Sequence, residues 1–182
     1  MSRHAPDRDY DVELMTLWPT VRHALAYGVV LSGTLCSLLL GILWSNPEIL
    51  LNDYPPDIRT KHGPMSERSK RQRLPVAIFF GVVVLGVVAA SFVEVRANSG
   101  GHISFLTAFV HLFVMFSLFN LVDLLILDWP LVAMRPSFIV LPGTDGLAGY
   151  RDYGFHFRGF LIGTVLVLVT SVLIAGVIAA LF

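Results

Sequence analysis

The chain has 182 residues, of which 55% are hydrophobic and 14% charged, and its 13 Lys and Arg balance its 13 Asp and Glu. Soluble domains contain about 45–50% apolar and about 25% charged residues, so this composition indicates a membrane protein. It excludes a soluble enzyme, a disordered chain and a coiled coil. The single cysteine, Cys36, has no partner for an internal disulfide or a CxxC pair, which argues against redox and zinc-thiolate chemistry.

Four apolar runs follow one another along the chain, each close to the roughly 20 residues that a helix needs to cross a bilayer. They cover about 25–43, 75–95, 103–127 and 160–182. The second opens on Pro75, a residue that suits a helix start because its missing N–H is not needed there. None alternates with the period of a barrel strand. The sequence therefore predicts an all-α polytopic membrane protein, a single four-helix domain over 1–182 with two long cytoplasmic loops.

The basic residues predict the orientation of this bundle. Nine of them fall in the first and third connections, and four lie on the opposite side at Arg3, Arg8, Arg22 and Arg96. Cytoplasmic loops carry the excess of Lys and Arg, so both long loops are expected in the cytoplasm and both termini outside.

Small residues recur every four positions on three of the spans, a spacing that lets helix backbones approach closely in lipid. They are Gly33, Ser37 and Gly41, then Gly86 and Ala90, then Gly159 and Gly163, and finally Ala175 and Ala179. Packing within one chain is the expected use of these residues. A homo-oligomer or a partner in a membrane complex is the alternative.

Span three carries a polar face made of Ser117, Asn120 and Asp123, with Asp128 at its cytoplasmic margin. A carboxylate at this depth is costly against lipid, so Asp123 must face the bundle or a water-filled cleft. Two interpretations follow. Asp123 is either a proton or cation site with Asn120 and Ser117 as auxiliary ligands, or a structural carboxylate paired with neighbours such as Arg135.

Histidines gather near the outer side, at His23, His102 and His111. Neutral imidazole ligates metals well, but no HxxxH pair places two ligands on one helix. The expectation is a hydrogen-bonded core role for His111 and no metal site, with Glu94 an interfacial residue near Arg96.

The first long loop begins with an ordered acidic stretch and becomes basic from Lys61 to Arg73. Such a basic cluster is typical of a topology signal, and it also attracts anionic lipid headgroups. The third connection contains Pro142-Gly143-Thr144-Asp145-Gly146, which predicts a turn and a short hairpin. Its last part concentrates polar groups before span four, and its arginines suit a carboxylate or a phosphate.

No known catalytic signature occurs in the chain: it has no nucleophile elbow, HExxH motif, Walker loop or dinucleotide fingerprint. Without a basic face, nucleic-acid binding is not expected. The sequence does not identify a cofactor.

The loops and the end of span three resemble a family of uncharacterised bacterial four-helix membrane proteins. The resemblance rests on Asn46-Pro-Glu through Asn52-Asp53-Tyr54-Pro55 with Asp57-Ile58, on Asp123 to Trp129, and on Leu141-Pro142-Gly143-Thr144 through Gly149-Tyr150-Arg151-Asp152-Tyr153 with His156-Phe157. It implies a bacterial plasma membrane and one self-contained unit. That family has no assigned activity, cofactor or catalytic residue, so the resemblance implies no function.

Most of the clustered polar chemistry thus falls at the cytoplasmic ends of spans one, three and four. The candidate ligand-binding residues are Asp53, Tyr54, Asp57, Asn120, Asp123, Asp128, Tyr150, Arg151, Asp152 and His156. The sequence leaves three functions open: a small ligand-binding or transport protein with its site at that end, a membrane enzyme acting on a lipid or quinone with His156 and Asp152 as acid–base candidates, and an accessory or scaffold subunit.

Overall fold

The computed structural model describes residues 8–181, with side chains from Leu17 onward. Arg3 lies outside the described residues, and nothing is described of the Arg8 side chain. The α-helices of the described chain are α1 (Arg8–Ser45), α2 (Pro56–His62), α3 (Glu67–Asn98), α4 (Phe105–Val122), α5 (Trp129–Met134) and α6 (Tyr153–Leu181). A π-helical turn (Asp123–Asp128) joins α4 to α5, and short 3-10 turns occupy Pro47–Asp53, Ser137–Ile139 and Ala148–Arg151.

Four of these described segments are long and apolar enough to cross a membrane: Leu17–Ser45, Glu67–Asn98, Phe105–Met134 and Tyr153–Leu181. The described residues contain no strand. An all-α fold is what a bilayer requires, because a helix satisfies its own backbone hydrogen bonds in lipid. The prediction of an all-α polytopic membrane protein with four spans is confirmed.

The helices extend beyond the apolar runs, and α3 shows why. Its N-cap is Ser66, whose Oγ accepts a hydrogen bond from the backbone N–H of Ser69. The helix therefore begins about two turns before Pro75, and the prediction that Pro75 marks a helix start was wrong. Hydropathy marks the lipid-soluble part of a helix, whereas the cap decides where the helix begins.

Helix α4 lies between α1 and α6 and forms the centre of the bundle. The buried core on the α1 side includes Leu31, Leu35, Leu112 and Met115. Gly28 lets α1 approach α4 closely, since a Cβ there would lie 3.3 Å from the Met115 carbonyl oxygen. Gly28 therefore allows a close contact between α1 and α4 at this level of the bundle.

The small-residue stripes pack within the chain only in part. A Cβ added at Gly33, Gly41, Gly86 or Gly159 would meet nothing within 4 Å, so the prediction of close packing was wrong for these glycines. It was right for Gly163, where the Asn120 side chain of α4 fills the space beside α6, and for Ala175, which is fully buried in the core. Small-xxx-small spacing permits a close approach, but the rotation of each helix decides which stripe is used.

The two long loops pack on one another and form a second core beneath the bundle. Leu43, Leu51, Ile58, Ile139 and Leu141 are buried there together with Tyr54 and Tyr150. The Tyr54 hydroxyl donates to the Ile139 carbonyl oxygen at 2.9 Å, which ties the first loop to the second.

The glycine-rich turn in the second loop is present, but the hairpin is not. Gly143 and Gly146 adopt positive φ angles of 74° and 75°. The Thr144 hydroxyl donates back to the Leu141 carbonyl at 2.7 Å, and the Leu141 N–H donates to the Tyr150 hydroxyl at 2.9 Å. Because these bonds fold the segment onto itself, no strand partner forms and the hairpin prediction was wrong.

A polar clasp, made of Asn46, Glu48, His62, Ser66 and Ser69, ties the end of α1 to the start of α3. Glu48 accepts hydrogen bonds from the Ser66 and Ser69 hydroxyls, each at 2.6 Å, and from the Ser66 backbone N–H. His62 Nε2 lies 3.3 Å from Glu48 Oε1. Asn46 Nδ2 donates to Ser69 Oγ at 2.9 Å. Burial alone would raise the pKa of Glu48, but these hydrogen bonds outweigh it and lower the pKa to about 2.

We expect Glu48→Gln to lower the stability of the protein at pH 7 by about 2 kcal/mol, the usual loss when hydrogen bonds to a charged group are weakened. Because the folded-state pKa lies below the ordinary 4.5, this stabilisation is complete above pH 4.5 and is lost as the pH falls toward about 2. Thermal unfolding in detergent, followed across this range, measures the difference.

The matched control is Glu67→Gln, because the Glu67 side chain is 77% exposed and pairs with Lys70 on the same helix. An exposed pair of this kind contributes little. A loss of stability at Glu48→Gln that stays constant from pH 7 to pH 2 contradicts the assignment.

Candidate functional site

The π-helical turn at Asp123–Asp128 sets the geometry of the candidate site. Trp129 and Pro130 follow it, and a proline inside a helix has no N–H to donate and crowds the preceding turn. On a regular α-helix, residues five apart are rotated by about 140° from each other. In a π-turn the hydrogen bonds run from i to i+5, which brings residues five apart closer to one face. Asp123 and Asp128 therefore line the same space.

That space is a cavity of about 220 Å³ between the bundle and the loop core, which we call the first cavity. Its walls are mainly aliphatic, from α1, the π-turn, α5 and both loops. The charged or titratable groups at its surface are Asp53, Asp123, Asp128 and His156, with Tyr54 and Tyr150 as aromatic walls. The aliphatic lining consists of Leu39, Leu43, Leu50, Leu127, Leu131, Val132 and Ile139.

A second cavity of about 330 Å³ adjoins the first and shares Asp53, Asp123, Asp128 and His156 with it. It adds Asn52 from the first loop, Asn120 from α4, and Phe155, Gly159 and Phe160 from α6. The shared residues form the boundary between an apolar compartment and a more polar one, and we call them the acidic wall.

Within the acidic wall, His156 and Asp128 form an ion pair or hydrogen bond, with 3.1 Å between His156 Nδ1 and Asp128 Oδ2. Their side chains are 19% and 28% exposed, so both are largely enclosed. The pair links the first turn of α6 to the end of the π-turn. It leaves the other ring nitrogen of His156 outside this contact.

Asp53 comes from the loop side of the wall and keeps part of its surface exposed. Loss of water around the carboxyl raises the pKa of Asp53, with Arg73 opposing this rise, Asp128 adding to it and Arg59 opposing it. Neither arginine lines a cavity, and neither lies within ion-pair distance of Asp53.

Asp123 differs from both of these groups. Its Oδ1 atom is buried and has no hydrogen-bond partner among the described residues. No described Arg, Lys or His lies within ion-pair distance of it either, so the pairing with Arg135 does not form. An unpaired carboxyl inside a helix bundle costs free energy.

The two tyrosines of the first cavity are held by the backbone. Tyr54 bonds to Ile139, and Tyr150 bonds to Leu141 and Thr144. Their rings meet edge to face with centroids 6.2 Å apart. Burial, with Tyr150 and Asp53 nearby, raises the pKa of Tyr54, so the phenol stays neutral. Both residues shape the wall and offer little free hydrogen-bonding capacity to a ligand.

Asn120 reaches the second cavity but has a structural task as well. Its Nδ2 donates to the Phe160 carbonyl at 3.0 Å and to Thr164 Oγ1 at 3.1 Å, which joins α4 to α6. Ser117 lines neither cavity, and its buried hydroxyl has no partner among the described residues. Asn120 therefore lies where an auxiliary ligand beside Asp123 was expected, and Ser117 does not.

The remaining predicted residues, Asp57, Arg151 and Asp152, line a separate open cleft on the loop surface. Asp57 accepts hydrogen bonds from the backbone N–H groups of Ile58 and Gly149, and Asp152 accepts one from Phe155 at the start of α6. The carboxylates of Asp57 and Asp152 fix the loops. His156 faces Asp128 and not Asp152, so the structure gives no acid–base pair of His156 with Asp152.

At the opposite end of the bundle, His111 is fully buried, with Nε2 3.0 Å from Ser91 Oγ, as expected for a core histidine. Glu94 bonds to His23 at 2.8 Å and to Tyr27 at 2.6 Å, so it joins α3 to α1. The described residues contain no group of three or more His, Cys, Asp or Glu arranged to hold a metal ion.

Six of the ten predicted residues thus surround the first cavity, and Asn120 borders the second. Sequence reasoning missed the aliphatic wall, above all Leu131, Val132 and Ile139, and it missed Asn52. The Trp129-Pro130 pair was a usable signal for an irregular turn beside Asp123 and Asp128. Comparisons with protein-family models, with curated proteins and with solved structures found no match to this chain.

Proposed function

We propose that this multi-pass membrane protein binds a small ligand in the first cavity, at the end of the bundle that the loops cover. The observation that supports this best is an apolar cavity bounded by an acidic wall. Ligand sites are typically concave and mainly apolar, with a few polar groups that orient the ligand. Asp123, Asp128 and His156 supply those groups here.

A binding role accounts for the site better than a scaffold role does. A docking surface needs polar groups at the outside of the loops, whereas the acidic wall lies between the loops and the helices. On the loop surface, the carboxylates of Asp57 and Asp152 already bond to the protein's own backbone. Transport of the bound ligand is an extension of this proposal. Because four helices are few for a monomeric transporter, transport would require an oligomer.

We also propose that the loops face the cytoplasm of a bacterial cell and that both termini face outside. The basic residues favour this orientation, and Arg68, Lys70 and Arg71 are exposed on the first turns of α3, where anionic headgroups can reach them. In a Cys36→Ser chain, we expect Ser99→Cys to react with an impermeant maleimide on intact cells. Lys61→Cys should react only after the membrane is opened, and the reverse pattern overturns the orientation.

We expect native mass spectrometry of the protein, released from lipid nanodiscs, to reveal a retained small molecule. Leu131→Trp should abolish its retention, because the indole fills the aliphatic compartment that Leu131 lines. Leu173→Trp is the matched control, since Leu173 is 64% exposed on the outer face of α6. Equal retention by the two variants places the ligand elsewhere and contradicts the proposal.

A second candidate function, acid–base catalysis on a lipid or quinone, is favoured by the His156–Asp128 pair. A carboxylate that holds one ring nitrogen of a histidine orients the other toward a substrate. We expect such an enzyme to lose at least about a hundredfold in turnover in His156→Ala, the range of general acid–base contributions. His62→Ala is the control, because His62 belongs to the polar clasp. Equal activity in both variants excludes His156 as the acid–base group.

A further inference from the structure

We propose that the ligand of the first cavity is a small organic cation with an apolar body, and that Asp123 is its counter-charge. This inference rests on the proposed binding function and adds the chemical class of the ligand. It follows from three observations: the balance of charge in the acidic wall, the contrast between Asp123 and the other carboxylates, and the aliphatic lining.

The cavity lining carries more carboxyl groups than basic groups, three aspartates against one histidine. Asp128 has His156 as its partner at 3.1 Å, whereas neither Asp53 nor Asp123 has an ion-pair partner among the described residues. No described Lys or Arg lines either cavity, and the histidine that does, His156, is already paired with Asp128. An anionic ligand would meet three carboxylates and one imidazole, whereas a monocation meets the unpaired carboxylate of Asp123.

The other engaged carboxylates of the described chain show what a structural acid looks like in this protein. Both oxygens of Glu94 are bonded, to Tyr27 and His23, and both oxygens of Glu48 are bonded within the polar clasp. Both oxygens of Asp57 accept backbone N–H groups. Asp123 departs from this pattern, since it lines both cavities and its buried Oδ1 has no partner among the described residues.

The aliphatic lining decides between a metal ion and an organic cation. A metal ion needs several oxygen or nitrogen ligands, and the described residues offer no group of acids and histidines in such an arrangement. Leucine, valine and isoleucine side chains instead cover most of the first cavity beside Asp123. A trialkylated ammonium on an apolar body satisfies both halves of the site, since its charge meets Asp123 and its body displaces water from the aliphatic wall.

The test compares phenyltrimethylammonium with its neutral isostere, tert-butylbenzene, and with tetramethylammonium, which carries the charge without the apolar body. Binding to the full chain in nanodiscs is followed by the shift of its thermal unfolding and by competition between the probes. We expect the aromatic cation to bind at least about tenfold more tightly than either of the other probes, because it alone gains both the charge pair and the apolar contact.

Asp123→Asn should reduce the preference for the cation over the neutral isostere to about unity. Asp145→Asn is the matched control, because Asp145 is exposed in the glycine-rich turn and lines neither cavity. The comparison of the three probes on the unaltered chain needs no variant, so the inference stays testable even if Asp123→Asn does not fold.

The outcomes distinguish a failure of the proposed binding function from a failure of the inference that the ligand is a cation. Tighter binding of the neutral isostere, blocked by Leu131→Trp, keeps the binding function and overturns the cationic ligand. Cation binding that is unchanged in Asp123→Asn overturns Asp123 as the counter-charge. Absence of binding for all three probes, together with no retained small molecule in native mass spectrometry, overturns both the binding function and this inference.

Discussion

The candidate site depends on one backbone constraint, the proline that follows Trp129. Pro130 cannot donate to the helical turn before it, and its ring crowds that turn. The chain accommodates this by widening to a π-turn at Asp123–Asp128. The widening brings two carboxylates, otherwise on different faces of the helix, to the same cavity. Span three therefore also organises the loop end of the bundle, because α5 continues from this turn into the second core.

The loops complete the cavity that the π-turn begins. A bilayer-spanning bundle alone would leave Asp123 and Asp128 open to the membrane boundary. The second core, built from Leu43, Ile58, Ile139 and the two tyrosines, places a protein roof over them. Gly149 makes this closure possible, because a side chain there would overlap the Asp57 carboxylate and Pro55. The loops thus serve the site mainly through packing, and most of their polar residues hold the roof in place.

Hydropathy was sufficient to predict the four spans, since the bilayer imposes both their length and their composition. The same information failed at Pro75, because the Ser66 cap and not the apolar run begins α3. Hydropathy also could not show that Asp57 and Asp152 bond to the backbone of the loops whereas Asp123 lines a cavity. A carboxylate that accepts backbone N–H groups and one that lines a cavity are the same residue type in a sequence. The difference arises only in the folded chain, where the Gly149 N–H donates to Asp57 and the Phe155 N–H donates to Asp152.

Asp123 lies within a membrane span and its Oδ1 has no described partner, and its position explains how the protein can bear this cost. An unpaired carboxyl within a membrane span destabilises the fold by several kcal/mol unless water, a proton or a counter-ion reaches it. Partial exposure to the cavities gives it that access, while both oxygens of Glu94 at the opposite end are hydrogen-bonded to Tyr27 and His23. A fold that needed only stability would have paired Asp123 in the same way, as it paired Glu48 and Glu94. The free energy given up at this one position is the strongest physical reason to look for a ligand there.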